Sequence, residues 1–292
     1  MSTAAGAKST ETLAFAALVA GAAMIACAPI LVRLSDTSPG ASAFWRVALS
    51  APALALWARM EPGARRAAPV SWTPLVLAGL CFAGDLAAWH VSILYTSVAN
   101  ATLEANFAPV FVTAGAWLLW RERPSAQFVG ALGLTALGAA LLIAPNFALG
   151  GRTLAGDALG VLTAVFYAGY MLALKSATSG ASTARIMAVS TTVAAAALLP
   201  YALATAEVFR AQDARGWMVL AALALVPQVG GQSLIAFGFA RLPASLSAVS
   251  LLLQPLLAAF YAWLLLGEAM SGMQMAGAAI VLAGIHLARR GR

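Results

Sequence analysis

Residues 109–122 (PVFVTAGAWLLWRE) and 255–268 (PLLAAFYAWLLLGE) are two versions of one sequence, separated by 146 positions. Three residue types recur in register: Pro109 with Pro255, Trp117 with Trp263, and Glu122 with Glu268. The chain has only 13 Pro and 8 Trp among 292 residues, so such matches rarely arise by chance. Gly138 falls on Gly284 at the same shift. We therefore expect an internal duplication, with one half at residues 1–146 and the other at 147–292.

The sequence around these two stretches is strongly apolar. Hydrophobic residues make up 62% of the chain and charged residues 9%, with a mean hydropathy of +0.88, which excludes an ordinary soluble domain. A helix needs about 20 apolar residues to cross the hydrocarbon core of a bilayer. Ten stretches approach this length: 13–32, 41–58, 72–95, 98–120, 126–145, 158–174, 186–206, 217–240, 243–267 and 270–288. Since these runs are long and continuous, they predict helices rather than barrel strands.

Positive charge is distributed unevenly between the two sides of this predicted membrane protein. If the ten spans alternate, one side carries twelve basic residues: Lys8, Arg59, Arg65, Arg66, Arg121, Arg123, Lys175, Arg185, Arg241, Arg289, Arg290 and Arg292. The other side carries four: Arg33, Arg152, Arg210 and Arg215. Because cytoplasmic loops are enriched in Lys and Arg, both termini are predicted to be cytoplasmic. The first span lacks a cleavage site, so we expect no cleaved signal peptide.

The duplication and the helix count together predict an inverted repeat. Each half carries five helices, an odd number, so the second half enters the membrane with opposite polarity. Two inverted five-helix bundles can rock about a shared midplane site, which is the architecture of many secondary transporters. The fold expected here is therefore an all-α membrane protein of ten transmembrane helices in two inverted five-helix repeats.

The same features carry a resemblance to a known family. Each half has a proline-containing helix that ends in Glu after an apolar run, and Phe44, Trp45 and Arg46 occupy the place of the family's helix-2 arginine. With these motifs the chain resembles the EamA-type carriers of the drug/metabolite transporter superfamily. The resemblance implies an inner-membrane exporter of amino acids, aromatic and other neutral, of the YddG type. Two positions depart from the pattern: Glu104 replaces a small or apolar residue, and Arg121 precedes Glu122 where Gly is usual.

Four ionisable side chains fall well inside predicted spans: Arg46, Asp85, His90 and Glu104. Such groups are costly in lipid and usually face the protein interior or a water-filled cavity, so they are candidates for charge pairing or gating. For Arg46 the alternative is snorkelling to the outer interface. Glu104 has three open roles: a proton carrier, a contact for a substrate ammonium, or the partner of Arg46. Asp85 has a structural hydrogen bond as its alternative, and His90 a neutral packing role. His286, near the end of the last span, is expected at the interface.

Helical spacing adds a set of polar and aromatic residues that would line a substrate cavity. The candidates are Trp89, His90, Glu104, Phe107, Phe111, Tyr167, Tyr170, Gln228, Gln232, Ser250 and Gln254. Their mixture of aromatic rings and uncharged amides suits a neutral amino acid better than a phosphorylated ligand, which usually requires several Lys or Arg residues. For each Gln or Ser, an interhelical hydrogen bond is the alternative role.

The expected function is secondary transport by alternating access, with other metabolites or drugs as alternative substrates. A channel and an intramembrane enzyme are weaker alternatives; Asp85 and His90 are five residues apart and do not share a helix face. No nucleotide-binding motif, metal-ligand cluster or cofactor motif occurs, and Cys27 and Cys81 are expected to be packed thiols. The expected partners are a small-molecule substrate and the lipid bilayer, with no nucleic acid, and the expected state is a monomer.

Overall fold

The computed structural model describes residues 2–61, 71–95, 105–143, 153–178, 180–267 and 271–291. Within this part of the chain all regular structure is helical and forms ten helices. They are α1 (Ser2–Ala26, continued by Ala28–Leu34), α2 (Pro39–Met60), α3 (Trp72–Tyr95), α4 (Ala108–Trp120), α5 (Ala126–Ile143), α6 (Thr153–Ala177), α7 (Thr183–Thr205), α8 (Ala214–Leu223, Ala224–Gln232 and Ser233–Arg241), α9 (Ala244–Ser250 and Leu253–Leu266) and α10 (Gly272–Arg290).

Each of the ten predicted spans falls on one of these helices. Among the described residues, six helices are long and apolar enough to cross a membrane, and two shorter apolar helices lie at 108–120 and 126–141. The start predicted for α4, at residue 98, lies outside the described residues. Three helices differ from the continuous spans expected. The first, α1, is interrupted by a turn at residue 27, α8 contains a π-helical segment at Ala224–Gln232, and α9 is interrupted by a turn at residues 251–252.

The helices group into two compact units. The first unit comprises Met1–Ala83 and Ala173–Leu242. Here α1 packs along the π segment and the last segment of α8, and α2 packs against α7 and the same π segment. This arrangement buries the middle of α2, where Val47 and Leu54 are fully enclosed. The π segment is thereby packed against α1 and α2.

The second unit comprises Gly84–Leu172 and Pro243–Arg292. Within it, α5 packs closely on α10, α4 packs on the first segment of α9, and the second segment of α9 contacts α5 and α10. Both units thus contain helices from either side of residue 146. The division of the sequence at that residue into two halves stays a prediction.

The α5–α10 contact is reciprocal at the repeat shift. A Cβ added to Gly138 would lie 2.7 Å from the backbone nitrogen of Val281, and one added to Gly284 would lie 2.9 Å from that of Thr135. A shift of 146 converts Gly138 into Gly284 and Thr135 into Val281, so the two contacts are equivalent. Small residues at these positions allow the helix backbones to approach closely.

The ends of α4 and α9 also correspond at this shift. Arg121 ends α4 in the left-handed conformation, with φ 58° and ψ 24°, and its N–H donates to the carbonyl of Trp117 at 3.0 Å. Gly267, the equivalent residue after α9, has φ 70°. Left-handed backbone is strained for a residue with a Cβ and free of strain for glycine. The arginine that departs from the family pattern therefore occupies a position that favours glycine.

Arg121→Gly is expected to raise stability by about 1 kcal/mol, because it removes the steric cost of left-handed backbone. Thermal unfolding of the purified protein in detergent should show a midpoint higher by about 2 °C. Arg123→Gly removes the same charge nearby, from a residue without positive φ, and should not raise the midpoint. An equal rise in both variants would attribute the gain to charge rather than to conformation.

Candidate functional site

A buried arginine lies in the first unit. Arg46 lies about two turns into α2 and is 9% exposed, so its charge is largely removed from solvent. Its Nε donates to Oε1 of Gln228 on α8 at 3.0 Å. The guanidinium also lies over the ring of Phe82 on α3, 5.6 Å from the centroid. Hydrogen bonding and cation–π attraction both offset part of the cost of burying the charge.

Gln228 is placed by the π-helical segment of α8. Pro227 lies inside this segment and lacks the N–H that an α-helix needs there, so the regular hydrogen-bond ladder is interrupted. The hydroxyl of Ser50 on α2 donates to the carbonyl of Arg46 one turn earlier at 2.5 Å, and the segment's Ala224 carbonyl lies within hydrogen-bond distance of the same hydroxyl, at 3.1 Å. A side chain from a neighbouring helix thus contacts the irregular backbone.

The polar contact extends from Gln228 to a third helix. Nε2 of Gln228 donates to Oγ1 of Thr191 on α7 at 3.4 Å, and both residues are buried. Gln232, one helical turn further along the π segment, is 2% exposed and has polar or ring contacts of its own. Arg46, Gln228 and Thr191 therefore form a buried polar chain across α2, α8 and α7, which we call the Arg46 chain.

Aromatic residues pack beside the Arg46 chain. The indole Nε1 of Trp45 donates to the carbonyl of Phe209, in the connection between α7 and α8, at 2.7 Å. The Trp45 ring also contacts Trp217 edge to face, with centroids 5.0 Å apart. In the preceding connection, Ser38 exchanges two hydrogen bonds with Val208, at 2.9 and 3.0 Å. The segment leading to Arg46 is therefore anchored to the loop that leads into α8.

The second unit contains the other described cavity candidates. Tyr167 and Tyr170 on α6 stack with ring centroids 6.1 Å apart, and Tyr170 is 2% exposed. Asp85 and Trp89 on α3 are half-buried and each has contacts with other residues. Ser250 is buried and donates to the Leu246 carbonyl within its own helix at 2.8 Å. These side chains offer aromatic and uncharged polar surface.

Turns at residues 106–107 and 251–252 interrupt the stretches 98–120 and 243–267, each of which the sequence predicts as one continuous helix. Phe107 caps α4 rather than lying within it, and is 40% exposed, while Phe111 lies one turn into the helix. Pro109 is at the start of α4, where its missing N–H costs nothing. The second segment of α9 begins at Leu253, and Gln254 and Pro255 follow in its first turn. The proline of each repeat therefore follows a turn rather than lying within a continuous helix.

The structure describes only some of the four ionisable residues predicted inside spans. Arg46 is buried and hydrogen-bonded to Gln228, and its role in gating or charge pairing stays a prediction. Glu104 and Glu268 lie outside the described residues, as does the side chain of His90. Glu122 lies beyond the end of α4. A charge cluster linking Arg46 with the other ionisable residues therefore stays a prediction.

Sequence reasoning placed Gln228 and Gln232 correctly on one helix but missed what holds them. The π segment, the contact with Thr191 and the stacking of Phe82 on Arg46 were not anticipated. Pro227 was the available signal, because proline inside a helix frees backbone groups that a neighbouring helix must satisfy. Among the described residues, no three His, Cys, Asp or Glu side chains come together as a metal site.

Comparisons with known proteins identify the family of this chain and a solved structure with a similar fold. The model of the EamA-like transporter family matches residues 8–144 and again residues 154–290. The chain belongs to the EamA-like transporter family. An uncharacterized transporter of Archaeoglobus fulgidus is 28% identical over 205 residues, which are 70% of this chain and 72% of the relative. A solved crystal structure is 18% identical in sequence, and its alignment covers 98% of this chain and 99% of the solved chain, with a TM-score of 0.80.

These comparisons confirm the family predicted from the two proline-containing stretches. The EamA-like chain is a transporter with several membrane-spanning helices, and its fold recurs in a solved structure despite low sequence identity. The subtype within the family, the substrate and the direction of transport stay predictions. The cytoplasmic location of both termini also stays a prediction.

Proposed function

We propose that this EamA-like transporter exports neutral amino acids, including aromatic ones, across the cell inner membrane by alternating access. The Arg46 chain is the observation that carries the proposal. A permanent charge buried at membrane depth is costly and is usually retained for function. Here it bonds to an amide on a π-helical segment, and such segments occur frequently at functional sites.

The substrate class follows from the side chains available. Arg46 is a single guanidinium held by the neutral partner Gln228. In the same unit the ring of Phe82, which faces the guanidinium, supplies aromatic surface. A neutral amino acid combines an apolar or aromatic side chain with two small charged groups, and this composition complements rings and amides. Other small metabolites or drugs remain the alternative substrates.

The membrane orientation and the transport cycle are parts of the same proposal. With both termini in the cytoplasm, the connections that carry most of the Lys and Arg residues also lie on the cytoplasmic side, as the positive-inside rule predicts. Two inverted halves would supply the two similar bundles that alternating access needs. Glu104 retains its three proposed roles, of which proton carrier is the one that flux measurements address directly.

The test is counterflow in proteoliposomes that contain the purified protein and labelled Trp, Phe, Thr or Met. We expect saturable counterflow of at least one of the four, competed by the unlabelled amino acid. Flux that neither saturates nor exchanges would indicate a channel, and absence of flux for all four would reject the amino-acid class. If an imposed pH gradient accelerates flux, Glu104→Gln should remove the acceleration; retained acceleration would exclude Glu104 as the proton carrier.

A further inference from the structure

The interruption of α9 carries two polar side chains without partners. Ser247, three residues before the first segment ends, is fully buried, and its hydroxyl finds no hydrogen-bond partner among the described residues. Gln254, at the start of the second segment, has a buried side-chain nitrogen, Nε2, that also finds no hydrogen-bond partner among the described residues. Most buried polar groups in proteins are paired, so two orphaned groups on one helix require an explanation.

Neither side chain is needed to build the turn. Between the segments, Leu251 and Leu252 donate their N–H groups to the carbonyls of Ala248 and Val249, both at 3.1 Å. A turn also precedes Pro109 in α4, and there the residue equivalent to Gln254 is Ala108. Since α4 begins after its turn with alanine at this position, the amide of Gln254 serves something other than backbone structure.

The two side chains flank the same turn. Ser247 lies four residues before the turn at residues 251–252, and Gln254 lies two residues after it. A small group bound at this turn could accept one hydrogen bond from each side chain.

The charge of that group follows from the helix. The second segment of α9, Leu253–Leu266, has 14 residues, and Gln254 is in its first turn. The N-terminal end of a helix carries partial positive charge, and half-helices in transporters direct such ends at anionic substrate groups. Gln254 Nε2 is a donor, and the Ser247 hydroxyl can act as one. Two donors beside partial positive charge favour a carboxylate.

We infer that the interruption of α9, with Ser247 and Gln254 on either side of it, binds the carboxylate of the transported substrate. This inference rests on the proposed function and adds the chemical group recognised and the residues that recognise it. The two groups are orphaned because their partner arrives with the substrate. The first segment of α9 packs on α4, which gives the carboxylate a protein wall rather than lipid.

The experiment measures ligand affinity and unfolding temperature of the purified full chain in detergent. The probes are L-phenylalanine, L-tryptophan and 3-phenylpropionate, which carry a carboxylate, compared with phenylalaninamide and tryptamine, which do not. The variants are Ser247→Ala, Gln254→Met and the double substitution. Ser190→Ala is the matched control, because its buried hydroxyl already donates to the carbonyl of Ile186 at 2.7 Å.

We expect the carboxylates to bind at least tenfold more tightly than the amide and the amine. The double variant should bind carboxylates at least tenfold more weakly, because it loses two hydrogen bonds to a charged group. Without ligand, its unfolding temperature should equal or exceed that of the native protein, because removing orphaned polar groups costs no contact. Ser190→Ala should leave carboxylate affinity unchanged.

Three results would overturn the inference. The first is a lower unfolding temperature of the ligand-free double variant, which would make the pair structural. The second is unchanged discrimination between carboxylate and amide in that variant, and the third is no carboxylate binding by the native protein. Failure of the proposed function is distinguishable: 3-phenylpropionate would bind in the expected pattern while none of the four amino acids showed counterflow.

Discussion

Arg46→Gln is expected to reduce the transport rate at least tenfold while the protein still inserts into the membrane. The substitution removes the charge and the Nε donor that hold Gln228 on the π segment of α8. A hydrogen bond to a charged group contributes about 1.5–3 kcal/mol, and about 1.4 kcal/mol corresponds to a tenfold change in rate. The measurement is initial counterflow rate per milligram of reconstituted protein.

Arg59→Gln is the matched control for this substitution. Arg59 lies on the same helix α2 but is exposed, so the same change should leave transport near the native rate. Arg46→Lys retains a positive charge but lacks the planar guanidinium that contacts both Gln228 and Phe82. Its transport rate should therefore lie between the rates of Arg46→Gln and Arg59→Gln. Native transport by Arg46→Gln would remove the Arg46 chain from the mechanism.

A double-mutant cycle identifies whether Arg46 acts through Gln228. Gln228→Leu should impair transport on its own, and combining it with Arg46→Gln should cost less than the sum of the two single effects. Residues in direct contact show coupling energies of about 0.5–3 kcal/mol, whereas independent sites add. Additive losses would mean that Arg46 acts through another contact.

Gly138→Ala is expected to lower stability by about 2 kcal/mol, although alanine is the better helix former by about 1 kcal/mol. The added methyl would lie 2.7 Å from the Val281 nitrogen and 2.8 Å from the Gly277 carbonyl oxygen, both backbone atoms of α10. The two helices must separate to admit it. The unfolding midpoint in detergent should fall by about 4 °C.

Gly133→Ala provides the control on the same helix. Gly133 is exposed, and a methyl group added there would meet no neighbouring atom within 4 Å, so helix propensity alone should keep the midpoint equal or raise it. Gly284→Ala should repeat the loss at Gly138, because its methyl would meet the backbone of Thr135. If one of the two substitutions, Gly138→Ala and Gly284→Ala, lowered the unfolding midpoint and the other raised it, the two contacts would not be equivalent.

The helices were predictable from sequence because each needs only a run of apolar residues of sufficient length. The span 72–95, for example, coincides with α3 as observed. Internal irregularities were not predictable in the same way. Pro227 and Pro255 both signal a disturbed helix, yet one accompanies a π segment and the other follows a turn. The outcome depends on which neighbouring groups satisfy the freed backbone, and Ser50 is distant in sequence.

The candidate site was predicted as a set of residue types but not as contacts. Whether Arg46 would snorkel or stay buried depended on an acceptor at the same depth, and Gln228 lies 182 positions away in the chain. A hydropathy profile does not show which residues on different helices form hydrogen bonds with each other. The orphaned state of Ser247 was equally invisible, since a buried serine in a helix usually bonds to a carbonyl one turn earlier, as Ser250 does.

The reciprocal contact between α5 and α10 has an evolutionary consequence. Gly138 meets Val281, and Gly284 meets the residue equivalent to Val281, so each helix presents the same patch to the other. Such a self-complementary surface is the isologous interface of a two-fold symmetric dimer. Under the proposed duplication, a single ancestral half would have paired with an oppositely inserted copy of itself through this patch. Fusion of two such genes would then have preserved an interface that already existed between separate subunits.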